Sequence, residues 1–283
     1  PESGQYTQQL FTDLFLKSQY RREVRPAKND SIPINVHLLL WFKQILKVDE
    51  VDQILTIYCW LEQYWYDANL RWDPAKYDGI KILHVPSELL WRPDILVYNN
   101  ANMNVKDNEL ETNAMIRYNG QIVLFKSVIT DIACKLDMTF FPFDQQVCYI
   151  MFASWSMDGA KLTLEAKKTS TNLDFYIENT EWTLLDFKYR SNLKYYDCCS
   201  HPFPDIVYYF VMQRNPTYYI LTLIIPSAFI TVVTMIGFFI PTSSTGETTE
   251  KVTLGVTALL SLAIILLMVA DKMPATSKVM PLI

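Results

Sequence analysis

The sequence predicts a β-sandwich opened by a short N-terminal helix and followed by transmembrane α-helices. Three observations carry this. Residues 1–215 hold short alternating segments punctuated by turn dipeptides, two long runs near the C-terminus carry almost no charge, and the five cysteines all lie before residue 200. At 283 residues the chain has room for about two folding units. Half of it is hydrophobic, 19% is charged and only 7 residues are glycine, which excludes a disordered or low-complexity chain. The net charge of −5 argues against a nucleic-acid partner, which needs a basic face.

Taken in order, Leu10, Phe11, Leu14 and Phe15 share one face of an amphipathic opening helix. Strands are expected at Ile54–Trp65, Gln121–Val128 and Ile206–Met212, with turns at Asp73-Pro74, Asp78-Gly79, Asn119-Gly120 and Asp158-Gly159. Regular short strands without intervening helices read as a sandwich. Cys134 and Cys148 bracket the segment KLDMTFFPFDQQV. A cross-link closing that loop would stabilise the fold by roughly 3 kcal/mol. Cys198 and Cys199 are adjacent, either a strained vicinal disulfide of functional use or two free thiols. Cys59 is left over and reads as a buried small hydrophobe. Disulfides place residues 1–215 in an oxidising, extracellular setting, and Asn29-Asp30-Ser31 is a glycosylation sequon consistent with it.

The charge pattern changes near Arg214. Beyond Pro216 there are only three bases (Lys251, Lys272, Lys278) and three acids (Glu247, Glu250, Asp271), so the whole net charge lies before it. Thr217–Ile240 is almost continuously apolar and long enough to cross a bilayer, with Pro226 as an internal kink. Val252–Ala270 is a second span. In it Thr253, Thr257, Leu260, Ile264, Leu267/Met268 and Asp271 share one helical face. Hydroxyls there can bond their own backbone, but a face that begins polar, turns aliphatic and ends on an acid reads as the lining of a water path. No Gly-rich phosphate loop, metal-ligand cluster or nucleophile motif stands out, so the chain reads as a non-enzyme without cofactor or metal.

The loop Cys134–Cys148, with Phe141-Pro142-Phe143-Asp144 inside, resembles the signature loop of the Cys-loop, or pentameric ligand-gated, ion channels. Trp91-Arg92-Pro93-Asp94 with Val97-Tyr98-Asn99, Ser154-Trp155-Ser156, and Tyr196–Cys199 through Pro202–Asp205 look like nicotinic acetylcholine receptor binding loops. Glu250–Leu262 resembles the nicotinic pore helix and Met273–Ser277 the linker after it. The vicinal cysteines suggest an α-type subunit, and parts of the pattern resemble nematode receptors.

The resemblance implies disulfides Cys134–Cys148 and Cys198–Cys199, and a quaternary ammonium agonist: acetylcholine first, with choline or betaine as alternatives. It maps the principal face onto Tyr98, Trp155, Tyr196, Cys198, Cys199 and Phe203, the last a departure from the usual tyrosine. The complementary face maps onto Trp60, Met115, Val123 and Phe125, of which the last three are apolar where relatives are often more polar. Identical or homologous subunits would form a pentameric ring in a lipid bilayer that passes cations at the plasma membrane of a postsynaptic cell. The implied pore residues are Glu250, Thr253, Thr257, Leu260 (the hydrophobic gate), Ile264, Leu267 and Asp271. The selectivity ring falls to Glu247 or Glu250, because Thr242–Glu250 is longer than in typical nicotinic subunits. The implied organisation is an extracellular domain at 1–215, a first membrane helix at 216–241, an intracellular turn at 242–250, a pore helix at 251–271 and a linker at 272–283. Two of an expected four membrane helices are then present, the mark of a fragment. A non-conducting binding protein, or a dominant-negative membrane-anchored subunit, is the competing reading.

Overall fold

A computed structural model of the chain describes residues 4–27, 29–102, 109–167, 173–239 and 247–270. Helix α1 (Gly4–Phe11) continues into a wide π-turn at Thr12–Lys17. It seats Leu10 and Leu14 in the core, and its Phe11 and Phe15 rings lie 4.8 Å apart. The i, i+4 spacing legible in the sequence is what brings those groups to one side.

Eleven strands follow among the described residues. They are β1 (Ile34–Asp49), β2 (Ile54–Tyr66), β3 (Ile82–Pro86), β4 (Ile95–Val97), β5 (Glu109–Glu111), β6 (Asn113–Arg117), β7 (Gln121–Ala133), β8 (Gln145–Ser154), β9 (Leu162–Ala166), β10 (Trp182–Lys194) and β11 (Phe203–Arg214). One sheet runs β3-β6-β7-β2-β1-β9, with β5 also paired to β7; the other runs β10-β11-β8-β4. Among the described residues only the β1–β9 pairing is parallel. Each sheet buries alternate residues: Leu55, Ile57, Cys59 and Leu61 from β2 face Cys148, Ile150 and Phe152 from β8 across the core. Burying one such aliphatic or aromatic side chain contributes about 1.5–3 kcal/mol.

Strand β7 runs five residues past the expected end at Val128, because it pairs with β2 along its whole length, to Ala133 opposite Ile54. Ser127, Thr130 and Asp131 obscured that continuation in the sequence. Strand β11 likewise extends the expected Ile206–Met212 in both directions. Cys134, just past β7, is bonded to Cys148 in β8, so this disulfide ties the two sheets together. The Cys198–Cys199 pair is also bonded, and Cys59 is buried and unpaired, its thiol pushed well above its ordinary pKa by burial. Asn29 lies in an exposed turn, where its side chain accepts from the Ser31 amide.

Helix α2 occupies Thr217–Phe239 and α3 occupies Glu247–Ala270; both are long and apolar enough to cross a membrane. The backbone opens into a π-turn at Ile220–Ile224, immediately before Pro226. Proline lacks an amide and crowds the carbonyl four residues back, and a widened turn accommodates that. One expected boundary shifts. The second helix starts at Glu247, not Lys251, so residues 247–250 are helical instead of a turn. Their two threonines and two glutamates can extend the helix into an aqueous interface, where no apolar pattern marks its start. Residues 240–246, Asp271 and the linker 272–283 lie outside the described residues.

Domain and helices meet around Arg214, the last residue of β11. Its guanidinium, with no exposed surface, donates to Asp144 (2.8 Å), Glu50 (2.9 Å) and Glu181 (3.2 Å) and lies 4.3 Å over the Trp182 ring. Phe141, inside the Cys134–Cys148 loop, packs edge-on against Tyr219 of α2 at 4.7 Å. The disulfide loop therefore touches both the base of the sandwich and the first turn of the membrane helix.

Candidate ligand site and pore helix

The principal-face residues gather at one end of three adjacent strands. Tyr98 follows β4, Trp155 follows β8, and Phe203 opens β11; Tyr196, Cys198 and Cys199 occupy the connection between β10 and β11. Registers Ile95↔Ser154 and Ala153↔Asp205 set the three strands side by side. The rings form two edge-on pairs, Tyr98–Trp155 and Tyr196–Phe203, each with centroids 5.6 Å apart. Trp155 is 70% exposed, so most of its indole is open to a ligand.

The cage is held from behind by polar contacts. The Tyr98 hydroxyl donates to the Ser154 carbonyl at 2.7 Å. Burial, and then the neighbouring Tyr196, Asp94 and Asp205, push the Tyr98 phenol above its ordinary pKa, so it stays a neutral donor. Asp94 accepts from the Ser154 hydroxyl (2.5 Å) and from the Ser156 amide (2.7 Å) and hydroxyl (2.6 Å), while its carbonyl accepts from the Trp155 amide. Trp155 is thus flanked on both sides by residues that Asp94 grips. Below the β10–β11 connection, the Gly159 amide donates to the Pro202 carbonyl at 2.8 Å and His201 faces Asp158 at 3.4 Å.

The complementary-face residues lie on β2, β6 and β7, on the sheet face turned away from the core. Trp60 pairs with Ser127, Phe125 with Glu62, and Met115 with Val123. Trp60 (37%) and Phe125 (38%) are exposed and Met115 is half-buried, but Val123 is 1% exposed and presents no open surface to a ligand. The Trp60 indole N–H and the Ser127 hydroxyl both donate to the Tyr58 oxygen, which lowers the Tyr58 pKa.

Two residues that the sequence did not single out belong to this cluster. Lys43 sits at a bulge in β1, where the register jumps between Phe42 and Gln44. Its ammonium lies 4.1 Å over the Trp60 ring and 5.0 Å over Phe175, whose own ring is 5.6 Å from Trp60. A similar contact puts the Lys194 ammonium 5.2 Å from the Tyr196 ring. Rings in both clusters therefore already hold a cation of the chain's own.

In α3, Thr253, Thr257, Leu260, Ile264 and Leu267 are all exposed on one face. The opposite face turns to α2: Gly255, Ala258 and Leu262 line a groove with Ile230, Thr234 and Phe238 of that helix. Approach is close enough that a Cβ at Gly237 would lie 2.4 Å from the Leu254 side chain. The Thr257 hydroxyl donates to the Thr253 carbonyl and Ser261 to the Thr257 carbonyl. Those bonds use the proton and leave oxygen lone pairs free to accept. Glu250 lies on the first turn of α3, within its described backbone.

The two-sheet sandwich carries a cluster of aromatic rings at one end, and two helices long and apolar enough to cross a membrane follow its last strand. The model of the neurotransmitter-gated ion-channel ligand binding domain matches residues 7–216, and that of the transmembrane region of the same channels matches residues 223–283. The chain belongs to the neurotransmitter-gated ion-channel family, whose members are channels and not a class of enzymes. It is 40% identical over 280 residues to the neuronal acetylcholine receptor subunit alpha-9-II of Oncorhynchus mykiss, covering 99% of this chain and 50% of that one. Identity is 40% to the alpha-6 subunit of Homo sapiens (98% and 54% covered) and 39% to alpha-9 of Gallus gallus (99% and 56%). The chain spans about half the length of the curated relatives it matches.

Proposed function

We propose that this chain is a subunit of a cation-selective channel opened by a quaternary ammonium transmitter, with acetylcholine the first choice and choline or betaine the alternatives. The observation that carries the reading is the exposed Trp155 indole set edge-on to Tyr98, next to the Tyr196–Phe203 pair. A quaternary nitrogen has no N–H to donate, so its selective capture depends on the negative faces of aromatic rings. Phe203 keeps the ring and lacks the hydroxyl, which leaves one polar contact fewer for the rest of the ligand.

Principal and complementary residues lie on different strands of one chain. A cyclic arrangement of five copies or homologues, each face meeting its neighbour's other face, completes the pocket from two subunits. Residues 1–215 then stand outside the plasma membrane of a postsynaptic cell, with Asn29 open to glycosylation. The connection around residues 240–246 is cytoplasmic, and the exposed face of α3 lines the pore. Threonine oxygens hydrate ions, Glu247 or Glu250 selects cations at the inner mouth, Asp271 concentrates them at the outer mouth, and Leu260 closes by dewetting. Agonist binding favours a closed β10–β11 connection and shifts the population towards the open pore. The contact of Phe141 with Tyr219, and beyond it Met273–Lys278, forms the route to the gate.

The test is voltage clamp of oocytes expressing the full-length polypeptide that carries this sequence. Acetylcholine, choline and betaine are compared with 3,3-dimethylbutyl acetate, the uncharged carbon isostere of acetylcholine. At least one ammonium is expected to open a cation current, with the isostere weaker by about thirtyfold or more. Equal potency of the isostere, or binding without current, would overturn the reading.

A further inference from the structure

Lys43 is 8% exposed, and its ammonium ends among rings, 4.1 Å from the centre of Trp60 and 5.0 Å from that of Phe175. Among the described residues no carboxylate or other acceptor bonds it. The acceptors around it are already engaged. Glu62, on the same outward face of β2 as Trp60, accepts from the Trp41 indole at 2.7 Å and from the Tyr64 hydroxyl. The Tyr58 oxygen accepts from the Trp60 indole and the Ser127 hydroxyl. An ammonium taken out of water regains part of its lost hydration from ring faces, and far more from an anion. The complementary cluster thus holds a buried cation whose counter-charge no described residue supplies.

The same ammonium limits what Trp60 can accept. Lys43 already engages this indole, so a second cation brought to it meets a like charge in a setting only partly open to water. The principal cage, with Trp155 70% exposed, is where a quaternary nitrogen is welcome. We infer that the ligand is a zwitterion, its quaternary ammonium held at Tyr98 and Trp155 of one copy and its carboxylate at Lys43 of the adjacent copy. This rests on the cage reading and sharpens it, moving carboxylates such as betaine ahead of esters such as acetylcholine.

The experiment is voltage clamp of oocytes expressing the full-length polypeptide alone, with two matched pairs of agonists. One pair is glycine betaine and its methyl ester; the other is 4-(trimethylammonio)butanoate and its methyl ester. Members of a pair share the quaternary head and differ in the carboxylate, while the two pairs differ in reach. Potency is read as the acid-to-ester ratio within each variant, so a variant that folds less well still reports. At least one acid is expected to exceed its ester by about tenfold or more. Lys43→Gln should abolish that preference by lowering the potency of the acid alone, and Lys43→Arg should keep most of it. Esters as potent as both acids in the wild type, or a preference that survives Lys43→Gln, overturn the inference. An equal fall of acid and ester in Lys43→Gln also overturns it, because the charge then serves the protein and not the ligand. Acetylcholine and the esters opening the channel with no acid preference sink the zwitterion and leave the cage standing. An uncharged isostere as potent as acetylcholine, or no response to any ammonium, sinks the cage itself.

Discussion

Trp155 and Lys43 show how differently two ring contacts are built. Trp155 is mostly exposed and contributes little to the core, so its replacement separates binding from folding. Trp155→Leu is expected to weaken quaternary ammonium binding by about 2 kcal/mol, roughly thirtyfold, with thermal stability unchanged. Radioligand displacement alongside a melting curve checks both halves, and wild-type affinity in the variant would remove the indole from the site. Lys43 is instead 8% exposed, its ammonium seated between the Trp60 and Phe175 rings. Lys43→Gln keeps a polar end and loses the charge. The expected loss is about 1–2 kcal/mol of stability, with Lys43→Arg restoring most of it, as read by thermal unfolding. Of these two residues only Trp155 was legible in the sequence, because it sits inside a local motif. Lys43 reaches Trp60 through a bulge and meets Phe175 from a segment more than a hundred residues away, and no periodicity encodes either step.

At the scale of elements, turn chemistry and helix faces carry the information. The Asn119-Gly120 turn joins β6 to β7, and Gly120 adopts φ +85° with a prospective Cβ 2.4 Å from the Asp67 carbonyl. That carbonyl belongs to the residue whose amide bonds the Gly120 carbonyl, so neither side can withdraw cheaply. Gly120→Ala is therefore expected to destabilise the sandwich by about 2 kcal/mol or more. Chemical denaturation measures this, and an unshifted midpoint would mean the turn relaxes freely. In α3, the face bearing Leu260 is exposed on the side opposite the α2 contact. In the proposed five-subunit pore, a threonine there lowers the cost of wetting the ring of side chains. Leu260→Thr should raise agonist sensitivity and resting leak in single-channel recordings; a variant unchanged in both has no gate at that position. The face itself was readable from its 3–4 spacing. The helix start at Glu247 was not, since polar residues extend a helix without adding to its apolar stripe.

Across the whole molecule, the decisive feature is the junction where one arginine joins the end of β11, the disulfide loop and the root of α2. Arg214 holds Asp144, whose side chain is 2% exposed, together with Glu50 and Glu181. Arg214→Gln leaves Asp144 buried beside an incomplete partner, and the expected cost is about 3–5 kcal/mol. The melting temperature of the purified chain tests this, and an unchanged value would show that the acids do not depend on the arginine. What the sequence alone determined is whatever repeats or clusters locally: alternating strands, apolar spans, turn glycines, paired cysteines and motifs a few residues long. Local sterics and the periods of strand and helix write those directly into the order of residues. Tertiary structure decided the rest: that Arg214 gathers three acids from distant segments, that Lys43 lies on Trp60, and that Val123 is covered. Each depends on which surfaces two sheets press together, and contact between residues far apart in the chain leaves no period to read.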